Sequence, residues 1–276
     1  MRSPTPAGSP ASSKKEALEH GTGDPMAEAE LLEIEAWLCL DLGQSDRAAG
    51  LLDRAIQLYR EIGDEPRCAQ ALILKANVLG HLEPSQAVEL LYAALALLES
   101  VQQPRLELCA RHGLAWFLND ASQAREALAL MEISRHLYES FPDSWTQLRL
   151  RWLEGRIARS LGDLRQAEAV LRSVVDRFEA RGMHRDQTLA AIDLVEVYSL
   201  QGKFAAAVEL VESFGPALAT WGMHSEGQAM WLLFRNAVVD HADHHVPVEP
   251  DAFRGIATYF HRAWHQPMRY VSSRPS

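Results

Sequence analysis

The sequence is short of the features that announce most chemistries. Only three cysteines occur in 276 residues, Cys39, Cys68 and Cys109, with no CxxC spacing among them. That excludes a disulfide framework and a cysteine zinc site, and each reads as a small buried hydrophobe in an apolar helical pattern. No run of about 18 apolar residues occurs, so no membrane span is expected. There is no GxSxG, no GxxxxGK followed by Ser or Thr, and no GxGxxG. The chain therefore lacks a nucleophile elbow, a phosphate loop and a dinucleotide loop, and the reading is non-enzymatic, with no cofactor. Basic residues are outnumbered: 27 Lys and Arg stand against 37 Asp and Glu, a formal charge of −10. A field of that sign repels phosphate backbones, which argues against direct nucleic-acid binding.

What is there is a helical repeat. The alanines Ala48, Ala87, Ala127, Ala167 and Ala207 form a ladder with spacings of 39, 40, 40 and 40. A small or polar turn residue precedes most of them by five: Gly43, Ser122, Gly162 and Gly202. In "HLEPSQAVELL" the turn is one residue shorter, which accounts for the spacing of 39. An apolar residue follows each alanine by four: Leu52, Leu91, Met131, Leu171 and Val211. That spacing puts both residues on one helical face. Each unit reads as two helices, A and B, around a tight turn. In unit four, helix A covers about 144–161 and stops at Gly162, a residue suited to the left-handed position past a helix end. Asp163 then caps helix B, with Gln166 three residues on.

The same register resembles the tetratricopeptide repeat. Small or compact residues fall at its eighth position (Ala36, Ala76, Ala115, Gly155, Val195) and its twenty-seventh (Ala55, Ala94, Ser134, Val174, Phe214). The match covers roughly residues 28–220. The period is nearer 40 than the family's usual 34, like the longer repeats of bacterial helix-turn-helix regulators, here without the DNA-binding domain. Arg151 and Glu154 stand in unit four at positions that are usually apolar, three apart, where they can pair with each other. The resemblance implies an all-α, right-handed α-solenoid of antiparallel helix pairs, a superhelix whose A helices line a concave groove. Five units span 26–222, and helices at about 224–241 and 250–265 within 223–267 cap the array. Residues 1–25, rich in Pro, Ser, Gly and Thr, read as a disordered tail without the apolar core of a secretory signal, and 268–276 as a second tail. Met26 reads as an alternative start, and the expected location is the cytoplasm.

If the family register holds, the ninth positions point into the groove: Trp37, Asn77, Trp116, Arg156 and Glu196. The fifth positions add Glu33, Ile73, His112, Trp152 and Ile192. Two readings of the tryptophans stand: groove surface, or inter-repeat core. Unit four is the anomaly. Arg149, Trp152, Arg156 and Arg159 recur at i, i+3, i+7 and i+10 in an acidic protein. The functional reading is a basic-aromatic subsite for an acidic segment or C-terminal carboxylate of a peptide or protein partner. The alternative is a solvated helix face paired with acids of neighbouring repeats. On the functional reading, charge reversal at Arg156 abolishes capture without unfolding. The Lys and Asn of the family's carboxylate clamp are not reproduced. The histidine pairs His241/His245 and His261/His265, each i, i+4, have metal-ligand spacing. In "HRAWH", however, Arg262 stands where a zincin carries its glutamate, and the pairs read as polar helix ends rather than a metal site. The sequence thus points to a binding scaffold, or alternatively to a regulatory sensor for a small ligand or signalling peptide linked to transcription.

Overall fold

In a computed structural model the described residues are 23–220 and 225–244, with 253, 255 and 256. They form an all-α solenoid of twelve helices. In chain order these are α1 (Pro25–Asp41), α2 (Ser45–Ile62), α3 (Glu65–Leu79), α4 (Pro84–Leu98), α5 (Pro104–Asp120), α6 (Ala124–Ile133) and α7 (Arg135–Ser140). There follow α8 (Ser144–Ser160), α9 (Leu164–Glu179), α10 (His184–Leu200), α11 (Phe204–Thr220) and α12 (Ser225–Asp243). Units one to five are α1/α2, α3/α4, α5/α6–α7, α8/α9 and α10/α11. Residues 1–22 and 268–276 of the two expected tails and most of the expected helix at 250–265 lie outside the described residues, as do His245, His261 and His265. At the end of the first tail, Asp24 instead caps α1 and Pro25 opens it.

The alanine ladder is the contact between the helices of each pair. Ala48, Ala87, Ala127 and Ala167 have no exposed surface and Ala207 almost none. Each residue four further on is buried too. In unit four the approach is closer still, because a Cβ on Gly155 would come within 2.8 Å of Leu171. Gly162 adopts φ +84° and ends the turn after α8 as expected. Asp163 then accepts from the Gln166 amide at 3.1 Å. Ser122, at φ 65°, holds the equivalent left-handed position in unit three without being glycine. The shorter turn of unit two dispenses with it. Gly80 is right-handed there, at φ −62°.

Unit three departs from the expected pair. Its B helix breaks at Ser134, where the Leu137 amide bonds back to the Ser134 carbonyl over only three residues. The tightened turn redirects α7 and brings Tyr138 over α5. A helices also pack on one another, α3 on α5, α5 on α8 and α8 on α10. This makes them the inner layer. Twelve of the 17 residues of α5, and twelve of the 17 of α10, are buried, against five of 16 in the B helix α9. The two layers therefore read differently in sequence: B helices carry one apolar stripe, and A helices must be compatible with neighbours on most sides.

Candidate functional site

Asp143 starts α8 by accepting from the Thr146 amide at 2.8 Å. From there the helix carries Arg149, Trp152, Arg156 and Arg159 on one face, as their spacing requires. That face lies between α5 and α10. Trp152 donates through its indole Nε1 to Asp193 Oδ2 at 2.7 Å. Arg156 reaches the same oxygen at 3.4 Å and Asp120 Oδ1 at 2.5 Å. Arg159 donates to Asp193 Oδ1 at 2.8 Å and Glu196 Oε2 at 2.6 Å. Arg149 lies 3.5 Å from Asp186. Three A helices are thereby tied across the groove by one polar seam.

Aromatic rings fill the gaps between these charges. Trp116 and Trp152 meet edge to face at 5.1 Å. The guanidinium of Arg156 sits 4.1 Å over the Trp116 ring, and that of Arg149 at 5.3–5.6 Å from the rings of Trp116, Trp145 and Trp152. Such stacking suits arginine, whose planar, weakly hydrated head tolerates burial. Beside them His112 is buried, with Nδ1 2.9 Å from the Tyr138 hydroxyl. Burial, reinforced by Arg149, pushes its pKa down to about 3. Burial also raises the pKa values of Glu196 and Asp186 against the pull of Arg159 and Arg149.

The expectation of an exposed basic-aromatic subsite is corrected here. Trp152 has no exposed surface, Trp116 4% and Arg156 6%. These residues are inter-repeat core. Arg149 and Arg159 are mostly covered as well, with side chains 14% and 13% exposed. The alternative, pairing with acids of neighbouring repeats, is what the side chains do, except that the pairs are buried rather than solvated. Three guanidiniums meet four carboxylates, so this face offers no surplus positive charge to an acidic partner. Reversal at Arg156 would set a carboxylate beside Asp120 and Asp193, and the fold itself would suffer.

Two other candidates remain at the surface of the groove. Asn77, half-buried on α3, faces Gly113 of α5, and its amide has no hydrogen bond among the described residues. Glu196 holds the rim of the seam, with its side chain 18% exposed. Trp37 is half-buried on α1. Glu33, at the fifth position, is instead buried under the Tyr59 hydroxyl, which donates to it at 2.9 Å. His241 and His244 bond to carbonyls one turn back in α12, and no cluster that could hold a metal occurs among the described residues. Arg151 pairs with Glu154 at 2.9 Å, three residues on.

Sequence reasoning passed over Asp120, Asp186 and Asp193. A signal for two of them existed. Arg149–Asp186, Arg156–Asp193 and Arg159–Glu196 are all separated by 37 residues. That is one repeat less three, the offset that brings adjacent A helices into contact. Opposite charges recurring at period minus three would have located the seam.

No family model matches the chain, and no curated protein does. Among solved structures it is similar to a Rap protein, determined as a complex with competence and sporulation factor. The two share 17% identity at a TM-score of 0.68, over 90% of this chain and 67% of that one. The likeness is one of fold. None of the described helices is long and apolar enough to cross a membrane.

Proposed function

We propose that the chain is a non-enzymatic, cytoplasmic binding scaffold that holds a peptide or protein segment against the inner face of its A helices. The observation that carries this reading is the uncommitted amide of Asn77, half-buried on the inner layer next to a seam that fixes the next three A helices. A partner docking there meets side chains already ordered, so little conformational entropy is lost on binding. An asparagine amide both donates and accepts, as an extended backbone requires. The rim of the seam carries Asp120 and Glu196, which favours a partner with a cationic residue near the segment that Asn77 grips.

A second reading, a regulatory sensor for a signalling peptide, is supported by the Rap protein of similar fold having been captured with competence and sporulation factor. In both readings the event is binding to a tetratricopeptide-like inner face. The test is selection of peptides from a random library on the full chain, followed by calorimetry on the variants Asn77→Ala and Glu196→Gln. Asn77→Ala should weaken binding of the selected peptide about tenfold or more at an unchanged melting temperature, on the scale of one or two lost hydrogen bonds. Peptides bound equally well by both variants would refute the site.

A further inference from the structure

The first helix is apolar on two opposite sides. Its buried side carries Ala29, Leu32, Ala36 and Leu40, packed in the core with residues of α2 and α3. At 100° per residue, Leu31, Ile34, Leu38 and Leu42 fall on the opposite side, Leu42 just past the helix end. Their exposures are 56, 56, 57 and 72%. A second apolar stripe of this size, between flanking glutamates, is surface that a neighbour can cover. In the units that follow, the corresponding side of an A helix faces the B helix of the unit before it, as α3 faces α2 and α10 faces α9.

We propose that this stripe is a self-association surface, on which α1 of a second copy packs antiparallel about a two-fold axis near residue 36. Three observations select a second copy. First, the stripe nearly matches its own reverse: under that axis Leu31 faces Leu42 of the other copy and Ile34 faces Leu38. A two-fold contact requires such self-complementarity. Second, the rim is neutralised from within. Glu28 pairs with Arg54, Glu30 with Arg67 and Glu35 with Arg47. These three rim glutamates are thus compensated within the chain, which lowers their repulsion when two identical rims meet. Third, the area suffices. Two stripes with the aliphatic stems beside them cover roughly 1,000 Å², near the lower limit for a specific interface. The chain's own residues 1–22 are poorly suited to the task, because their only apolar residues larger than alanine are Met1 and Leu18.

The test is sedimentation velocity on the full chain across the micromolar range. The expected result is a concentration-dependent species of twice the 30.8 kDa chain mass. The double variant Ile34→Glu/Leu38→Glu should sediment as a monomer with unchanged helicity. A milder pair of variants fixes the geometry. With 1.5 Å per residue, Leu38 lies ~5 Å along the axis from its copy, and Leu42 ~17 Å from its own. Leu38→Cys should therefore form an intermolecular disulfide with itself under mild oxidation and Leu42→Cys should not. The native cysteines are buried and do not compete. A wild-type chain that stays monomeric, or dimerises only once residues 1–22 are removed, would overturn the proposal. So would a dimer that survives the double variant, or cross-linking at Leu42→Cys in preference to Leu38→Cys.

Discussion

The unit-four seam and the first helix both break the rule that charge lies outside and hydrocarbon inside, in opposite directions. Between α5, α8 and α10, three arginines and four carboxylates are drawn into the interior. On α1, four large aliphatic side chains face outward. The seam is tolerated because its charges are matched: Asp193 takes hydrogen bonds from Trp152, Arg156 and Arg159 at once. A charge in the interior is stable only with its partners, whereas hydrocarbon in water lacks only a cover. Removing a partner should thus be costly in the seam, and altering the stripe nearly harmless to the fold.

Asp193→Ala is the sharpest way to break that contrast. It leaves two guanidiniums and an indole N–H with a shared acceptor gone, in a place where Asp193 itself is 4% exposed. Loss of one partner from a buried pair costs about 3–5 kcal/mol. Urea unfolding of this variant should show a deficit in that range. The reference is Glu35→Ala, which deletes the exposed pair with Arg47 and should cost under ~1 kcal/mol. Equal losses at the two sites would mean that the seam is no more buried, energetically, than the surface.

The pH dependence of the same region follows from His112. Its folded pKa, about 3, lies below the usual 6.5. Between those values the unfolded chain holds the proton and the folded chain does not. Stability from this group is therefore complete above pH 6.5 and is lost as pH falls toward 3, by up to ~1.4 kcal/mol per pH unit. Glu196 and Asp186 act with the opposite sign. Their raised values mean that the folded chain takes up protons first, so acidification relieves their burial. His112→Asn, which keeps a side chain able to bond the Tyr138 hydroxyl, separates the two. Stability measured from pH 7 down to 4.5 should fall in the wild type by more than in the variant. Identical slopes would place the titration elsewhere.

The solenoid itself was legible because its cause is local and recurs. Ala167, Leu171 and Gly162 each do in unit four what their counterparts do in at least three other units, so weak signals reinforce one another. The Asp163 cap does not recur, since Gln44, Glu83 and Gln123 make no side-chain cap bond. The break at Ser134 occurs once and had no such support. Serine at that position is small enough to satisfy the repeat and gives no warning that the helix bends there. The unit-four face was legible as a grouping, since helical spacing alone puts Arg149, Trp152, Arg156 and Arg159 together. Whether it meets solvent was not, because exposure depends on partner side chains 34 to 41 residues away. Asp193 was an unremarked acid in α10 until the packing of A on A gave it three donors. The stripe of α1 escaped notice for a related reason. Periodicity finds an apolar face by its contrast with a polar one, and α1, apolar on both sides, offers little contrast.

The smallest effect should come from the outer face, and adjacent residues isolate it. Leu31 and Leu32 share a helix, a side chain and an intrinsic helix propensity, but Leu31 is 56% exposed and Leu32 7%. Measured at concentrations where the chain is monomeric, Leu32→Ser should lose about 2–5 kcal/mol, because it empties core volume and buries a hydroxyl. Leu31→Ser should stay within ~0.5 kcal/mol of the wild type, as surface replacements do. Helix propensity cannot produce the difference, since the same exchange is made one position apart on the same turn. A comparable loss for Leu31→Ser in the monomer would show that this side chain is already covered by some part of the chain. That would remove the exposed half of the contrast.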